Sequence, residues 1–354
     1  MAKLKVAVIG VGSISGQHIQ AYLHNENTEL YAFCDINAEL LARKGEKYGV
    51  TRLYTDEATM LKELPEIDAV SVCTWNCAHA PCSIMALNAG KDVLCEKPMA
   101  MNAKEAEEMI AAAKRNGKKL MIGFVRRFGN DAAIVKDFVD NGSLGEIYYA
   151  KASYLRRNGN PGGWFGDKKR SGGGPLIDLG VHVIDLTRYL MGNPKPVSVY
   201  GATFTKLGNR KGIKNKVASY TSEGKTDDDI CNVEDMATAF VRYDNGAVLS
   251  VEASFSLNIK AEVGRIELFG TNGGVKLDPE FELYTQINGY LADVNLTIPT
   301  SLSFNGLFQN EIDYFVNAVL TDKDLSDIAE DGLTLMKILD AIYESAETRK
   351  EVLI

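Results

Sequence analysis

The sequence lacks the features that mark several large classes of protein. No apolar run approaches the roughly 18 residues that a membrane-spanning helix needs. The 39 Lys and Arg residues are outnumbered by 47 Asp and Glu residues, which gives a net charge of -8. This balance argues against a general binder of nucleic acids or of membrane surfaces. The amino terminus leads straight into a strand-like run without the layout of a signal peptide, so we expect a cytoplasmic protein.

Cysteine is scarce as well, with six residues in a chain of 354. Four candidate metal ligands lie close together in the sequence: Cys73, Cys77, His79 and Cys82. Their spacing contains no CxxC pair and does not match a zinc site. We therefore predict that the protein holds no metal and that its thiols are reduced, as in the cytoplasm.

The first third of the chain alternates short apolar runs with helical patterns, and a length of 354 residues favours two domains. The strand-like runs are Lys5–Ile9, Leu30–Cys34, Ala69–Thr74, Asp92–Glu96 and Lys119–Phe124. Strands that alternate with helices predict a doubly wound parallel sheet.

A glycine-rich turn follows the first of these strands and precedes a helical pattern. Gly10 and Gly12 allow the backbone to approach a pyrophosphate, which the helix N-terminus then stabilises. The third small residue of the usual fingerprint is Ser15, and Gly16 follows one place late. The arrangement predicts a dinucleotide-binding turn.

Asp35 comes directly after the second strand, where an acidic side chain can accept hydrogen bonds from both hydroxyls of a ribose. The same carboxylate would repel a 2′-phosphate, and neither Ile36 nor Asn37 offers a compensating cation. The sequence therefore favours NAD over NADP as the cofactor.

Ligands of doubly wound sheets bind beyond the carboxyl ends of the strands. Five residues fall at these ends and are expected to line one crevice: Gly10, Asp35, Thr74, Lys97 and Arg126. The Lys97 ammonium could stabilise negative charge on a substrate oxygen. Arg126 could reach substrate or nicotinamide, and a structural salt bridge is an equal alternative.

A second glycine-rich segment, Gly172–Gly174, precedes Pro175 and an apolar helical pattern that ends before Gly192. Asp178 and His182 are four residues apart, so a helix would place them on one face, with Asp185 one turn further along. The apolar residues on either side predict that this stripe points into the protein. An imidazole titrates near neutral pH, which makes His182 the best candidate for a general base.

The loop before this helix contains groups that suit a sugar ring, with its apolar face and many hydroxyls. They are Tyr154, Arg156, Arg157, Asn158 and Trp164. Ordinary loop packing is the alternative for this group. Asn232 and Glu234 are further candidate substrate contacts, and residues 208–229 are expected to form a mobile loop.

Taken together, these segments resemble the Gfo/Idh/MocA family, named for glucose–fructose oxidoreductase and inositol dehydrogenase. The matching segments are Gly10–Gly12 with His18, Asp35, Thr74–His79, Glu96–Pro98, Gly123–Phe128, Gly172–Gly174 with Asp178 and His182, and Glu330–Ala346. The resemblance extends over essentially the whole chain.

The resemblance implies a Rossmann domain over residues 1–125 and an α+β domain with a large open, mostly antiparallel sheet over residues 126–354. It implies a cis peptide before Pro98 and a homodimer or homotetramer. The implied catalytic residues are Lys97, Asp178 and His182. The implied cofactor contacts are Gly10, Gly12, Ser13, Ile14, Asp35, Thr74, Asn76, His79, Glu96, Lys97 and Arg126. The implied substrate contacts are Lys97, Arg126, Tyr154, Arg156, Trp164, Asp178 and His182.

Three functions remain open on this basis. The first is an NAD-dependent dehydrogenase that oxidises a secondary alcohol of a sugar, polyol or glycoside. The second is a glycosidase that retains NAD and works by transient oxidation, elimination and re-reduction. The third is a non-catalytic dinucleotide-binding sensor, which would not need Lys97, Asp178 and His182 together.

Overall fold

The computed structural model describes residues 3–208, 210, 213, 221–222, 226, 229–278, 280–297 and 306–354. The expected mobile loop at residues 208–229 lies mostly outside the described residues. Within the described ranges, no helix combines the length and the apolar character needed to cross a bilayer.

The regular elements are numbered in chain order. The strands are β1 Leu4–Ile9, β2 Thr28–Cys34, β3 Leu53–Tyr54, β4 Ala69–Val72, β5 Asp92–Glu96, β6 Leu120–Gly123, β7 Ile147–Leu155, β8 Pro196–Phe204, β9 Met236–Tyr243, β10 Val248–Ser254, β11 Val263–Gly270, β12 Gly273–Leu277, β13 Glu282–Ile287, β14 Tyr290–Val294 and β15 Val352–Leu353. The α-helices are α1 Ser15–His24, α2 Ala38–Tyr48, α3 Glu57–Glu63, α4 Asn76–Asn88, α5 Ala103–Asn116, α6 Asn130–Asp140, α7 Lys168–Ser171, α8 Val181–Leu190, α9 Leu307–Leu320 and α10 Ser326–Thr348. A π-helical turn, Leu176–Gly180, immediately precedes α8.

The chain forms two compact units. One consists of Met1–Val125 with Phe304–Met336, and the other of Arg126–Ser303 with Lys337–Ile354. Residues 304–336, which contain α9, thus belong to the same compact unit as the amino-terminal residues. The sequence predicts them as part of the second domain, residues 126–354.

The first unit is built on a parallel sheet with the strand order β3-β2-β1-β4-β5-β6. The strands β4, β5 and β6 are buried along their whole length, as expected for a sheet covered on both faces. Three of its helices begin where a side chain satisfies a free backbone N–H, namely α2 at Asn37, α3 at Asp56 and α5 at Asn102. The predicted doubly wound sheet is confirmed, and its strand order is that of a Rossmann fold.

The second unit is built on a sheet with the order β14-β13-β12-β11-β7-β10-β9-β8-β15. Its strands pair antiparallel except for β7 and β10, which are parallel. The prediction of a large, mostly antiparallel sheet is confirmed. The strands β12–β14 were not predicted, because charged residues and glycines interrupt their apolar alternation.

Candidate functional site

Gly10 ends β1 in a conformation that only glycine adopts easily, with φ of +84°. Its N–H donates to the Cys34 carbonyl at 2.8 Å, which ties the turn to the end of β2. A Cβ at this position would lie 2.6 Å from the Cys73 carbonyl oxygen. Glycine therefore allows the turn to pass directly over the end of β4.

The rest of this turn is open. A Cβ on Gly12 would meet no atom within 4 Å, and Ser13 and Ile14 are exposed. Ser15, by contrast, is buried, and its hydroxyl donates to the Gly12 carbonyl at 2.7 Å. The first turn of α1 therefore presents accessible backbone beside Gly12, which fits the phosphates of a dinucleotide.

Asp35 is fixed beside the same turn. Its Oδ2 accepts a hydrogen bond from the Val11 N–H at 2.8 Å, and its Oδ1 accepts one from the Asn37 N–H at 2.8 Å. The carboxylate remains partly exposed. An anchored, accessible carboxylate at the end of β2 is the group that a ribose diol requires.

Lys97 follows β5, and the peptide bond between Lys97 and Pro98 is cis, as the family resemblance implied. Residues 91–100 are all described, and among them Lys97 alone is not buried. The surrounding chain is thus packed in the protein interior, while this one side chain reaches solvent. A lysine held at the end of a buried strand has the placement expected of a substrate-facing ammonium.

Glu96, the neighbour of Lys97, is buried and belongs to a polar chain in the interior of the first unit. Its Oε1 lies 2.8 Å from the Nε2 atom of His18, and its Oε2 accepts the Lys97 N–H at 3.1 Å. Burial alone would raise the pKa of Glu96, but the His18 hydrogen bond and nearby positive charge hold that pKa below its ordinary value. The carboxylate therefore stays ionised beneath Lys97.

The same polar chain continues away from the strand end. The Nδ1 atom of His18 lies 3.2 Å from the Ser71 hydroxyl, which lies 2.8 Å from the Tyr22 hydroxyl. In the sequence, His18 stands out only as part of the family resemblance. A histidine on a buried helix face, followed by an acidic residue at a buried strand end, was the signal that could have predicted this pair.

His79 is buried between two backbone carbonyls. Its Nδ1 lies 2.6 Å from the Pro98 oxygen and its Nε2 lies 3.2 Å from the Thr74 oxygen. Burial lowers the pKa of His79, so the ring is neutral at pH 7 and donates one proton, which the shorter contact assigns to Nδ1. This histidine, expected as a cofactor contact, braces the segments that carry Thr74 and Lys97. Asn76, another expected contact, is also buried.

In the second unit, the helix of Asp178 and His182 does not begin as an ordinary α-helix. The π-helical turn Leu176–Gly180 leads into α8, which ends at Leu190 before Gly192 as predicted. Such wide turns are rare and are frequently found at functional sites. The sequence could not reveal the turn, because π and α turns share the same apolar pattern.

The expected burial of the titratable stripe is only partly right. Residues 173–188 all lie within the described part of the chain, and among them only Asp178 and His182 are not buried. Asp185 is 4% exposed and makes a two-point ion pair with Arg127, whose Nε and Nη2 lie 3.0 and 2.6 Å from its oxygens. Asp185 therefore fixes the helix, while Asp178 and His182 are the two residues of this stretch that remain partly exposed.

The position of Tyr154 relative to this helix follows from the strand pairing. Tyr154 pairs with Ala253 across β7 and β10, and a Cβ on Gly180 would lie 3.5 Å from the Cβ of Ala253. Gly180 is in turn between Asp178 and His182 in the sequence. Tyr154 is thus on the face of the sheet that carries this helix, as a substrate contact would require.

Three other expected site residues have partners within the second unit. Arg126 makes an ion pair with Asp278 at 2.6 Å, which is the salt bridge left open as an alternative. Arg156 is buried and donates to the Gly159 carbonyl at 3.0 Å. Trp164 stacks on Phe165 with 4.0 Å between ring centroids. The loop-packing alternative thus has direct support for Arg156.

Glu234, a candidate substrate contact, is buried under the start of the π-helical turn, where it accepts hydrogen bonds from two backbone N–H groups.

No group of three or more metal-ligating side chains occurs among the residues that the structure describes.

Comparison with known proteins assigns the whole chain to one family. Residues 4–124 match the NAD-binding Rossmann fold of the GFO_IDH_MocA oxidoreductase family, and residues 136–354 match the C-terminal alpha/beta domain of that family. The D-glucoside 3-dehydrogenase of Escherichia coli is 35% identical over 352 residues, which is 99% of this chain and 97% of that protein.

Solved structures agree with this result. An oxidoreductase domain protein from Kribbella flavida superposes with a TM-score of 0.87 at 27% identity and covers 100% of both chains. A levoglucosan dehydrogenase in complex with NADH superposes with a TM-score of 0.85 at 25% identity, covering 99% of each chain.

Proposed function

The chain belongs to the Gfo/Idh/MocA family of oxidoreductases, and from this premise we propose that its substrate is a glucoside that is oxidised at C3. The family and its curated relatives make the chain a nicotinamide-dependent dehydrogenase that acts on a secondary hydroxyl of a sugar or polyol. The narrower substrate is supported by 35% identity to a D-glucoside 3-dehydrogenase over nearly the full length of both chains.

We propose Lys97, Asp178 and His182 as the catalytic residues. The observation that carries this proposal is their selective accessibility, since each is partly exposed within an otherwise buried stretch of chain. A packed backbone holds each group in place while its end can meet a ligand, which is what precise positioning requires. The dinucleotide, when bound, supplies the acceptor for the hydride that leaves the sugar carbon.

The three side chains have complementary roles. The Lys97 ammonium donates a hydrogen bond to the reacting oxygen and stabilises its developing negative charge. His182 accepts the hydroxyl proton at a ring nitrogen. Asp178, one turn earlier, either orients that ring or accepts a hydrogen bond from a second sugar hydroxyl.

We propose NAD rather than NADP as the cofactor, held by the backbone beside Gly12, by Thr74 and by Asp35. The support is the Asp35 carboxylate, which is fixed by the Val11 and Asn37 N–H groups and remains accessible. An anion in this place is compatible with a ribose diol and repels a 2′-phosphate. A comparison of the dissociation constants of NADH and NADPH tests this preference, and equal values would contradict it.

We also propose that the protein is a cytoplasmic homo-oligomer that associates through the open face of its large sheet. Tyr200 and Phe240 are directly opposite each other on β8 and β9, and each is 54% exposed. An aromatic pair of this kind on an open sheet suits a second copy of the chain. The six cysteines all lie within the described residues and form no disulfide bond, which is compatible with a reducing compartment. Light scattering on Phe240→Glu should give a lower mass than wild type, and an unchanged mass would contradict the assigned face.

The activity itself is tested with a panel of methyl glucosides, free aldoses and inositols in the presence of NAD. We expect NADH to accumulate fastest with a methyl glucoside, with oxidation at C3. Cleavage of an aryl glucoside without net NADH release would instead support the glycosidase. Binding of NADH with no turnover of any panel member would support a sensor.

A further inference from the structure

The start of the π-helical turn before α8 rests on one buried and one partly buried side chain, which come from distant parts of the sequence. Glu234 precedes β9 and is 7% exposed, and Tyr343 is in the last helix, α10. All of these residues belong to the second unit. Their contacts with the glycine-rich segment show what holds Asp178 and His182 in place.

The carboxylate of Glu234 accepts from both sides of Pro175, which itself has no N–H. Its Oε2 accepts the Gly174 N–H at 3.0 Å, and its Oε1 accepts the Leu176 N–H at 3.2 Å. The first N–H groups of any helix have no partner within the helix. An anion at this end satisfies two of them and also complements the positive end of the helix dipole.

Tyr343 holds this carboxylate from the opposite side. Its hydroxyl donates to Glu234 Oε1 at 2.9 Å, so that oxygen accepts both the hydroxyl and the Leu176 N–H. Burial raises the pKa of Glu234, while the hydrogen bonds from Gly174, Tyr343 and Leu176 act in the opposite direction. The hydrogen bonds from these three donors thus favour the ionised form of the Glu234 carboxylate against the effect of burial.

Glycine is required at positions 173 and 174 because Tyr343 and Glu234 lie directly against the backbone there. A Cβ on Gly173 would lie 2.0 Å from the Tyr343 hydroxyl oxygen, and a Cβ on Gly174 would lie 2.2 Å from the Glu234 carbonyl oxygen. A larger residue at Gly173 would displace the Tyr343 side chain, and one at Gly174 would displace the backbone of Glu234. The glycine run therefore permits close contact with Glu234 and Tyr343, in addition to its role as a turn.

We propose that Glu234 and Tyr343 are positioning residues for the reaction, which set the π-helical turn that carries Asp178 and leads to His182. This inference rests on the proposed catalytic role of those two residues. Neither Glu234 nor Tyr343 needs to contact the substrate. They act by fixing the backbone two and four residues before Asp178, at Leu176 and Gly174.

The direct test of this anchoring does not depend on activity. Hydrogen exchange is measured by mass spectrometry on the full-length protein, in wild type, Tyr343→Phe and Glu234→Gln. We expect the amides of the 176–180 turn to exchange at least tenfold faster in both variants, with exchange in α1 and α5 unchanged. Unchanged exchange in the turn would overturn the proposal.

The consequence for catalysis is measured with methyl glucoside carrying deuterium at C3. We expect kcat to fall roughly tenfold in Tyr343→Phe and further in Glu234→Gln, with the KM for NAD unchanged. The deuterium isotope effect on kcat should increase, because poorer alignment slows the chemical step relative to product release. A merely structural role would reduce the active fraction and leave the isotope effect unaltered, and that result would overturn the proposal.

Tyr290→Phe is the matched control, since Tyr290 is 77% exposed at the start of β14. It should leave kcat, the isotope effect and exchange in the turn at wild-type values, and a tenfold loss in this variant too would count against the assignment. Full activity in His182→Ala would overturn the proposed function, while the exchange experiment would still decide whether Glu234 and Tyr343 anchor the turn.

Discussion

The chain contains two glycine-rich segments that each lead into a helix, and they use glycine for opposite purposes. In the segment at Gly10–Gly16, a Cβ on Gly12 would meet no atom within 4 Å. In the segment at Gly172–Gly174, a Cβ on Gly173 or Gly174 would lie within 2.2 Å of a neighbouring oxygen. Beyond Gly10, which packs against the end of β4, the first segment keeps its backbone accessible at Gly12, whereas the second brings its backbone against Glu234 and Tyr343 of its own unit.

This difference matters for the interpretation of glycine motifs. Open space around a helix N-terminus suits an anionic ligand from outside, and here the ligand is the dinucleotide of the family. A filled helix N-terminus is satisfied from inside, in this case by the Glu234 carboxylate. We propose that both segments serve the reaction, one by binding the dinucleotide and the other by positioning Asp178 and His182.

The largest effect is expected from Lys97→Met. This substitution removes the positive charge of Lys97 from the first unit and leaves the packing of the surrounding buried residues unchanged. We expect kcat with methyl glucoside to fall roughly 10²–10³-fold, because the reacting oxygen loses a charged donor. The melting temperature should stay within a few degrees of wild type, since Lys97 is the accessible residue of its stretch. Steady-state kinetics and thermal unfolding check both parts. A variant with near-normal kcat would remove Lys97 from the catalytic set.

Matched alanine substitutions in the two segments test the comparison itself. Gly174→Ala forces a methyl group against the Glu234 carbonyl and should lower the free energy of unfolding by about 2–3 kcal/mol. Gly12→Ala has room for its methyl and should change stability by less than about 0.5 kcal/mol. The affinity for NADH should fall only in Gly12→Ala. Urea unfolding and NADH fluorescence titration measure the two effects, and equal destabilisation by both substitutions would break the comparison.

Asp35→Asn sharpens the assignment of the first segment. Asparagine retains an oxygen for the Val11 N–H but loses the negative charge. We expect the NADH to NADPH affinity ratio to fall roughly tenfold, since repulsion of the 2′-phosphate is removed. The control is Asp56→Asn, which changes a carboxylate at the start of α3 and should leave the ratio unaltered. An unchanged ratio in Asp35→Asn would place the ribose elsewhere.

The smallest effect concerns the pH dependence of stability in the second segment. Burial raises the pKa of Glu234 above its ordinary value of 4.5, so the native state binds this proton more tightly than the unfolded state. Stability from this group is therefore present below that value and is lost as pH rises through the raised pKa. Glu234→Gln should show a flatter decline in the free energy of unfolding over that range. A steeper decline in the variant would contradict the assigned direction.

Much of the fold was predictable because periodic patterns encode it directly. The alternation of strands and helices predicted the parallel sheet, and the Asn245-Gly246 turn lies between β9 and β10 as a hairpin signal suggests. The strands β12–β14 were missed since their burial alternates weakly, with exposed Tyr290 and Leu291 in β14. Pairing of β12 with β11, of β13 with β12 and of β14 with β13 supplies the order that the local pattern lacks.

The candidate site was predictable as a set of residues but not as an arrangement. The titratable groups could be found from their positions after strands and on one helix. Glu234 and Tyr343 act on the helix start from 58 and more residues away, and no local pattern signals such contacts. The division of the stripe into a buried Asp185 and accessible Asp178 and His182 depends on Arg127, which the sequence left unassigned.

The most direct test of the account compares wild type with His182→Ala in two assays. One follows NADH formation from methyl glucoside, and the other follows NADH binding by fluorescence. The account predicts a rate at least about 100-fold lower with the dissociation constant of NADH within twofold of wild type. A variant that oxidises methyl glucoside at the wild-type rate would contradict it.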